Sequence, residues 1–277
     1  MSDRRRILGP SNTIIPNIPQ HQNINTKNST KLENEIPKFF LKNSIIKNSN
    51  GSSYLEIGST IIEVSVFGPR PIRGSFLDKA SISIETKFLN NVPQPLSDFF
   101  NFKNLSNNGN EKPIVGMSNI EHRISSFVEN CILSTILLEN YPKSTIDFQI
   151  SIISIDPSAT GISGLLWLIN WIMICTSLAI IDTGIEIKDI ISSGIVKLNS
   201  NGDVLVGENL LQEEDSGIFA LISFLNLKND EIVGCWFESI NMEVNEENMN
   251  ILVDECSKVS KLIRANLNSY LINSFNE

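Results

Sequence analysis

The sequence predicts an α+β domain in which helices pack against sheets. In the first half of the chain, Ile62, Val64 and Val66 alternate with Glu63 and Ser65, which indicates a strand with one buried face. A long uncharged segment and a C-terminal amphipathic segment indicate helices. The order of segments (strands, helix, strand, helix, strands, helix) favours α+β architecture.

Turn residues divide the strand-forming part into a meander of hairpins. Residues 48–51 read Asn-Ser-Asn-Gly, and Gly58-Ser59 forms a second tight turn. Gly68-Pro69 is expected to end the third strand. The predicted strands are 41–47, 52–57, 60–67, 80–88, 145–155, 190–198, 204–206, 218–225 and 232–236.

Three helices are predicted. Residues 120–138 have helical apolar spacing, with Ser118 and Glu121 placed as a capping box. The last helix runs through 252–271. Residues 161–181 are uncharged and long enough to span a bilayer, but they have Asp on both flanks and tryptophans towards the middle. A buried central helix is therefore favoured, and no membrane association is expected.

Composition predicts a single domain with an extended tail. Residues 1–42 are rich in Asn, Pro, Ser, Thr and Lys and are expected to form an extended or disordered N-terminal tail. Residues 43–277 form the domain, with 90–113 as an Asn-rich loop excursion. No apolar signal segment follows the Met-Ser-Asp-Arg-Arg-Arg start, so a signal peptide is not expected.

Charge is distributed unevenly. The formal net charge is -9 and the pI is about 4.9, which argues against a surface that coats phosphates broadly. Residues 1–90 nevertheless carry 12 basic and 7 acidic residues, a local net of +5, and the remainder carries −14. This asymmetry suggests one face for an anion and another that is acidic, although a basic tail with an ordinary solvated surface explains it equally well.

Metal and cofactor chemistry is not expected. The four cysteines are far apart and lack metal-ligand spacing, so reduced buried thiols in the cytosol or nucleus are predicted. His21 and His122 are the only histidines, which makes a Ser-His-Asp triad or a His-rich metal site improbable.

Three segments resemble RNase PH-like proteins, in the right order and over about 43–272. They are the hairpins at 51–70, the Tyr-Pro-Lys-Ser motif at 141–144, and 177–185 at the end of the central helix. Residues 3–10, 68–76 and 233–236 are similar to a fungal branch of exosome ring subunits. The resemblance implies the RNase PH-like fold.

The resemblance also implies partners. These are other RNase PH-like exosome ring subunits in a hetero-hexameric ring, RNA-binding cap subunits, an associated hydrolytic nuclease, and RNA threaded through the ring. It further implies RNA processing and degradation in the nucleus, including the nucleolus, and in the cytoplasm.

Catalytic residues are not expected. Active relatives carry Asp-Gly-Gly and then Thr/Ser-Arg before the central helix, but residues 156–163 read Asp-Pro-Ser-Ala-Thr-Gly-Ile-Ser. Without arginine, a phosphate cradle loses its charge-assisted bonds.

Active relatives also have Glu-Asp-Ser followed by an Asp that enters a strand. Here Glu213, Glu214 and Asp215 are present but the later Asp is not, and a solvated acidic turn is favoured over general acid/base or metal-binding roles. Helix 120–138 contributes only Arg123.

Basic residues in one proline-containing segment are the RNA-binding candidates. Pro69, Pro71 and Gly74 favour an extended loop that presents Arg70 and Arg73 to phosphates, with Lys79 as a further contact. The relatives place this loop towards the pore, while an intersubunit salt bridge is the alternative. Arg4, Arg5 and Arg6 form a second basic cluster, in the tail. They are open to three interpretations: contacts to RNA or to a neighbouring subunit, a nuclear-import signal, or a disordered basic end.

The favoured function is a non-catalytic ring subunit. An active phosphorolytic 3′-to-5′ exoribonuclease and a small-molecule or protein-binding domain unrelated to RNA are the alternatives.

Overall fold

A computed structural model describes residues 36–74, 76–95, 117–200, 202–211, 217–225 and 229–276. Within these ranges it has the mixed sheets and helices of the predicted α+β class. The strands are β1 Phe40–Asn43, β2 Gly51–Ile57, β3 Thr60–Pro71, β4 Ser81–Phe88, β5 Ser144–Ser154, β6 Ser192–Leu198, β7 Val204–Leu205, β8 Gly217–Phe224 and β9 Ile232–Ile240. The α-helices are α1 Asn119–Thr135, α2 Gly161–Thr183 and α3 Glu246–Asn276.

The first sheet has five strands in the order β1-β2-β3-β5-β4. The β1–β2–β3 meander is antiparallel, as the turn residues predict, and β5 pairs antiparallel with β3. β4 pairs parallel with β5, so the connection between them crosses over through α1. Ile62, Val64 and Val66 are fully buried, which confirms the predicted alternation.

The second sheet has four antiparallel strands in the order β7-β6-β8-β9. Alternate residues of β6 face two different helices. Ser192 hydrogen-bonds to Ser260 of α3 at 2.9 Å, whereas Ser193 donates to the carbonyl oxygen of Asn170 on α2 at 3.0 Å. Every residue of β6 is therefore buried.

Helix α2 packs against β2 and β3 of the first sheet and against β6 and β8 of the second. It is long and apolar enough to cross a membrane by length and composition alone, but 94% of its most apolar window is buried in the fold. Its burial agrees with the predicted central helix. Phe39 adds a ring contact to Trp171, with 5.3 Å between ring centroids.

Several boundaries differ from the sequence expectation. β1 ends at Asn43, where Ser44 adopts a positive φ, so the predicted strand 41–47 is too long. β3 does not end at Gly68-Pro69: a register shift between Phe67 and Arg70 accommodates these residues, and pairing with β5 resumes. Helix α1 ends at Thr135, and a separate 3₁₀ turn, Leu138–Asn140, follows before Pro142.

Candidate nucleic-acid interface

The basic loop, residues 68–79, begins inside β3. Gly68 has φ +120°, and a Cβ there would lie 2.6 Å from the carbonyl oxygen of Thr145, so the position favours glycine. Its N–H donates to Asn50 Oδ1 at 3.0 Å. After this irregularity Arg70 pairs with Thr145 and Pro71 with Ser144. The first basic residue is thus held by a sheet, which is a firmer support than the expected strand-ending loop.

Backbone hydrogen bonds join two residues within the basic loop, Ile72 and Leu77, to Lys143. The Ile72 N–H donates to the Lys143 carbonyl oxygen at 3.0 Å, and the Lys143 N–H donates to the Leu77 carbonyl oxygen at 2.9 Å. The Ala80 N–H then donates to the Leu138 carbonyl oxygen at 3.1 Å. These bonds bring the backbone at Ile72 and at Leu77 beside Lys143.

Arg70 and Arg73 are both exposed. The Arg70 guanidinium carbon lies 5.0 Å from the ring centroid of Phe67, which is within cation–π range. This contact orients the guanidinium while leaving it accessible. Arg73 lies in the bend just after β3.

Lys79 differs from the two arginines because it forms an ion pair. Its Nζ lies 2.9 Å from Glu139 Oε1 in the 3₁₀ turn, and both side chains are exposed. The hydrogen bond to Glu139 raises the pKa of Lys79, and the same bond lowers the pKa of Glu139. Exposed pairs of this kind contribute little to stability.

The loop before α2 contains an ionised carboxylate. Asp156 Oδ1 accepts hydrogen bonds from the N–H of Ser158 at 2.9 Å and from its hydroxyl at 2.6 Å, and Oδ2 accepts from the Ser59 hydroxyl at 2.8 Å. Burial raises the pKa of Asp156, but the hydrogen bonds from Ser158 and Ser59 outweigh it and the pKa falls below its usual value. Residues 156–163 thus contain this carboxylate and no basic side chain.

Several candidates lie outside the described residues: Arg4, Arg5 and Arg6 of the tail, and Glu213, Glu214 and Asp215 of the acidic motif. Arg123 is exposed on α1.

Two residues of the interface were not singled out from the sequence. Lys143 belongs to the Tyr-Pro-Lys-Ser motif, but its position beside the basic loop depends on long-range pairing that no local pattern shows. Phe76 is exposed within the basic loop. An aromatic residue between two basic residues is a pattern typical of surfaces that bind single-stranded nucleic acid, so the sequence contained a signal for it.

The fold and the sequence together define the family. The model described as "3′ exoribonuclease family, domain 1" (RNase_PH) matches residues 35–186. The chain belongs to the RNase PH family.

Individual relatives are exosome components. The chain is 30% identical over 204 residues to exosome complex component mtr3 of Schizosaccharomyces pombe, covering 73% of this chain and 70% of the relative. This confirms the resemblance to the fungal branch, the mRNA transport regulator type. An exosome component RRP41-like protein of Arabidopsis thaliana is 27% identical over 229 residues, covering 81% and 77%. Rice Rrp46 has the same fold, with a TM-score of 0.63 and 18% identity over 86% of this chain and 96% of that one.

Proposed function

We propose that this chain is a non-catalytic structural subunit of the RNA exosome core ring. In this role it supports 3′-end RNA processing, including that of ribosomal RNA, and RNA degradation, by assembling the ring and helping to guide RNA through its central channel. The observation that carries the proposal is the loop before α2, because residues 156–163 contain no arginine.

Phosphorolysis needs a site that attracts inorganic phosphate. A helix N-terminus supplies N–H groups and a partial positive charge, and arginine supplies charge-assisted bonds that are about twice as strong as neutral ones. In this chain the segment 156–163 offers only hydroxyl and backbone N–H groups, because it contains neither arginine nor lysine. The missing cation favours an intact fold without phosphorolytic chemistry.

The alternative is an active phosphate-dependent 3′-to-5′ exoribonuclease. The acidic motif at Glu213, Glu214 and Asp215 favours it, as does the similarity to an RRP41-like protein. The first residues after this motif oppose it, because Gly217–Phe224 is a fully buried apolar strand where active relatives place an Asp.

The basic loop supports the RNA-guiding role. Arg70 is held by β3 and by the Phe67 ring, and backbone bonds to Lys143 fix the loop beyond it. Preorganised arginines on a rigid segment hold phosphates without reading base sequence. An intersubunit salt bridge to an acidic neighbour is the competing role for Arg70 and Arg73.

The proposed partners are other RNase PH-like ring subunits in a hetero-hexameric ring, RNA-binding cap subunits, an associated hydrolytic nuclease, and RNA. The proposed location is the nucleus, including the nucleolus, and the cytoplasm.

Purification of the tagged full chain, with identification of its partners, tests the assembly. We expect other RNase PH-like subunits in the purified complex, and their consistent absence contradicts the proposal.

Incubating the purified chain with RNA and inorganic phosphate tests the chemistry. We expect no release of nucleoside diphosphates, whereas release that is lost in Asp215→Asn establishes the exoribonuclease alternative.

Charge reversal tests the basic loop. In the complex purified through the tagged chain, Arg70→Glu with Arg73→Glu is expected to reduce RNA crosslinking while the subunit composition stays the same. Lys87→Glu with Lys258→Glu is the matched control, because both lysines are exposed and lie outside the loop. Unchanged crosslinking together with a weakened complex indicates the intersubunit salt bridge.

A further inference from the structure

Phe76 is the most exposed of the large apolar side chains in the described part of the chain. Its side chain is 68% accessible, although a phenylalanine ring gains more free energy from burial than almost any other side chain. Among the described residues, neither an aromatic ring nor a cation stacks on Phe76. The other aromatic residue of this region, Phe67, already carries the Arg70 guanidinium.

The backbone fixes where Phe76 is presented. Leu77, the next residue, accepts a hydrogen bond from the Lys143 N–H at 2.9 Å, and Ile72 donates to the Lys143 carbonyl oxygen at 3.0 Å. Phe76 and Arg73 therefore lie within a segment that is held at both ends to the same residue. A side chain presented from such a segment loses little further backbone freedom when it binds a ligand.

The charges around Phe76 indicate the chemistry of the ligand. Arg73, Lys79 and Lys143 are exposed close to it in the chain or through the backbone bonds. Two acids lie near these cations, namely Asp78 in the loop itself and Glu139, which is paired with Lys79. A flat apolar ring among accessible cations matches an unstacked base with its phosphates, which is the combination that single-stranded RNA offers.

We infer that Phe76 is a stacking platform for one base of a single-stranded RNA whose phosphates are held by Arg73 and the neighbouring lysines. The inference rests on the proposed RNA-guiding function and adds a base contact to it. Because every base has a π face, the contact is expected to tolerate all sequences.

The test uses the tagged full chain with the partners that it retains, and a fluorescent oligouridylate of about ten nucleotides as the probe. Phe76→Ala is expected to weaken binding by about five-fold or more, the lower end of what one stacked base contributes. Phe76→Trp is expected to retain binding, because it keeps a π face. Leu77→Ala is the matched control, since this neighbour is also exposed and apolar but has no ring.

A second measurement replaces single uridines of the probe with 4-thiouridine and maps the crosslinked peptide. We expect a crosslink at Phe76 that Arg73→Glu reduces.

The possible outcomes separate the inference from the function on which it rests. If Arg70→Glu with Arg73→Glu weakens binding but Phe76→Ala does not, the stacking role is wrong and the RNA-guiding role stands. If neither variant changes binding, the RNA-guiding role is wrong as well. If Phe76→Ala and Leu77→Ala both lower the yield of partner subunits and leave RNA binding unchanged, the surface is a protein interface and the inference is overturned.

Discussion

Glu121 connects helix α1 to the first sheet through its two carboxylate oxygens. Oε2 accepts from the Ser118 N–H in the capping box, and Oε1 accepts from the Phe88 N–H at the end of β4, at 3.0 Å. The Ser118 hydroxyl accepts from the Glu121 N–H in return. A local capping pattern thus also satisfies a backbone donor of a strand 33 residues away.

Removing these two side chains should have unequal effects. Ser118→Ala loses one cap bond, so we expect about 0.5–2 kcal/mol lower unfolding free energy. Glu121→Ala should cost more, because it leaves the buried Phe88 N–H unsatisfied. Chemical denaturation measures both, with the exposed Ser126→Ala as a control that changes stability by less than about 0.5 kcal/mol. Equal losses for Ser118→Ala and Glu121→Ala are inconsistent with the bridging role.

Thiol reactivity should separate the four cysteines. Burial raises the pKa of Cys131 and Cys175 to about 12 and raises that of Cys256 further, while Cys235 is exposed. Alkylation of the native chain at mildly alkaline pH, followed by mass spectrometry, should label Cys235 first, and denaturant should expose the rest. Because the folded state disfavours thiolates, unfolding free energy should fall as pH rises above the ordinary thiol value of 9.0 towards 12. Rapid native labelling of Cys175 contradicts this assignment.

At the scale of elements, β6 is the strand on which both helix layers depend. Its residues alternate between α2 and α3, so a single strand contributes to two interfaces. Close approach of α3 requires a glycine at position 194, because a Cβ there would collide with the backbone carbonyl oxygen of Cys256.

Gly194→Ala should therefore be more damaging than Gly234→Ala. Both glycines lie in strands of the second sheet, but a Cβ at Gly234 would meet the Cys131 side chain rather than backbone. Side chains give way more easily than a helix backbone, so we expect about 1–3 kcal/mol for Gly234→Ala and a larger loss for Gly194→Ala. Thermal unfolding of the two variants checks the ranking, and similar losses disagree with the close α3 approach.

The elements were predictable where local pattern determines them. The capping box at Ser118 and the apolar alternation in β3 are local, and both agree with the structure. The continuation of β3 beyond Gly68-Pro69 was not predictable, because a Gly-Pro pair usually ends a strand. The pairing that extends β3 to Pro71 is made with β5, a strand more than seventy residues away from it in the sequence. The parallel pairing of β4 with β5 likewise depends on a crossover that periodicity does not encode.

At the scale of the whole molecule, a net charge of -9 coexists with a basic loop. Arg70 and Arg73 could be predicted as binding candidates from the sequence, because proline and glycine surround them. The Lys79–Glu139 pair and the approach of Lys143 were not, since both join segments about sixty or more residues apart in the chain. Contacts between distant segments, rather than composition, therefore determine which basic side chains meet at this surface and which of them are already paired with an acid.

The salt dependence of RNA binding should be shallow. If two or three basic residues hold phosphates, the slope of log K against log salt should be about −1.4 to −2.1 for a single strand. Titration of the tagged chain and its complex with potassium chloride measures the slope, and Arg70→Glu with Arg73→Glu should reduce its magnitude by about 1.4 in the isolated chain. A much steeper slope in the isolated chain means that RNA contacts a broad surface elsewhere.

The tryptophans give the chain an intrinsic optical reporter. Trp167 and Trp171 lie in α2 with ring centroids 6.2 Å apart, and Phe39, from the first described residues, packs on the second of them. Trp236 lies in β9 of the second sheet, and its ring centroid is 5.6 Å from that of Phe127. In Trp236→Phe, fluorescence emission comes only from the α2 pair. Changes in the wavelength or intensity of this emission then report how the segment around Phe39 packs on the core, without any added dye.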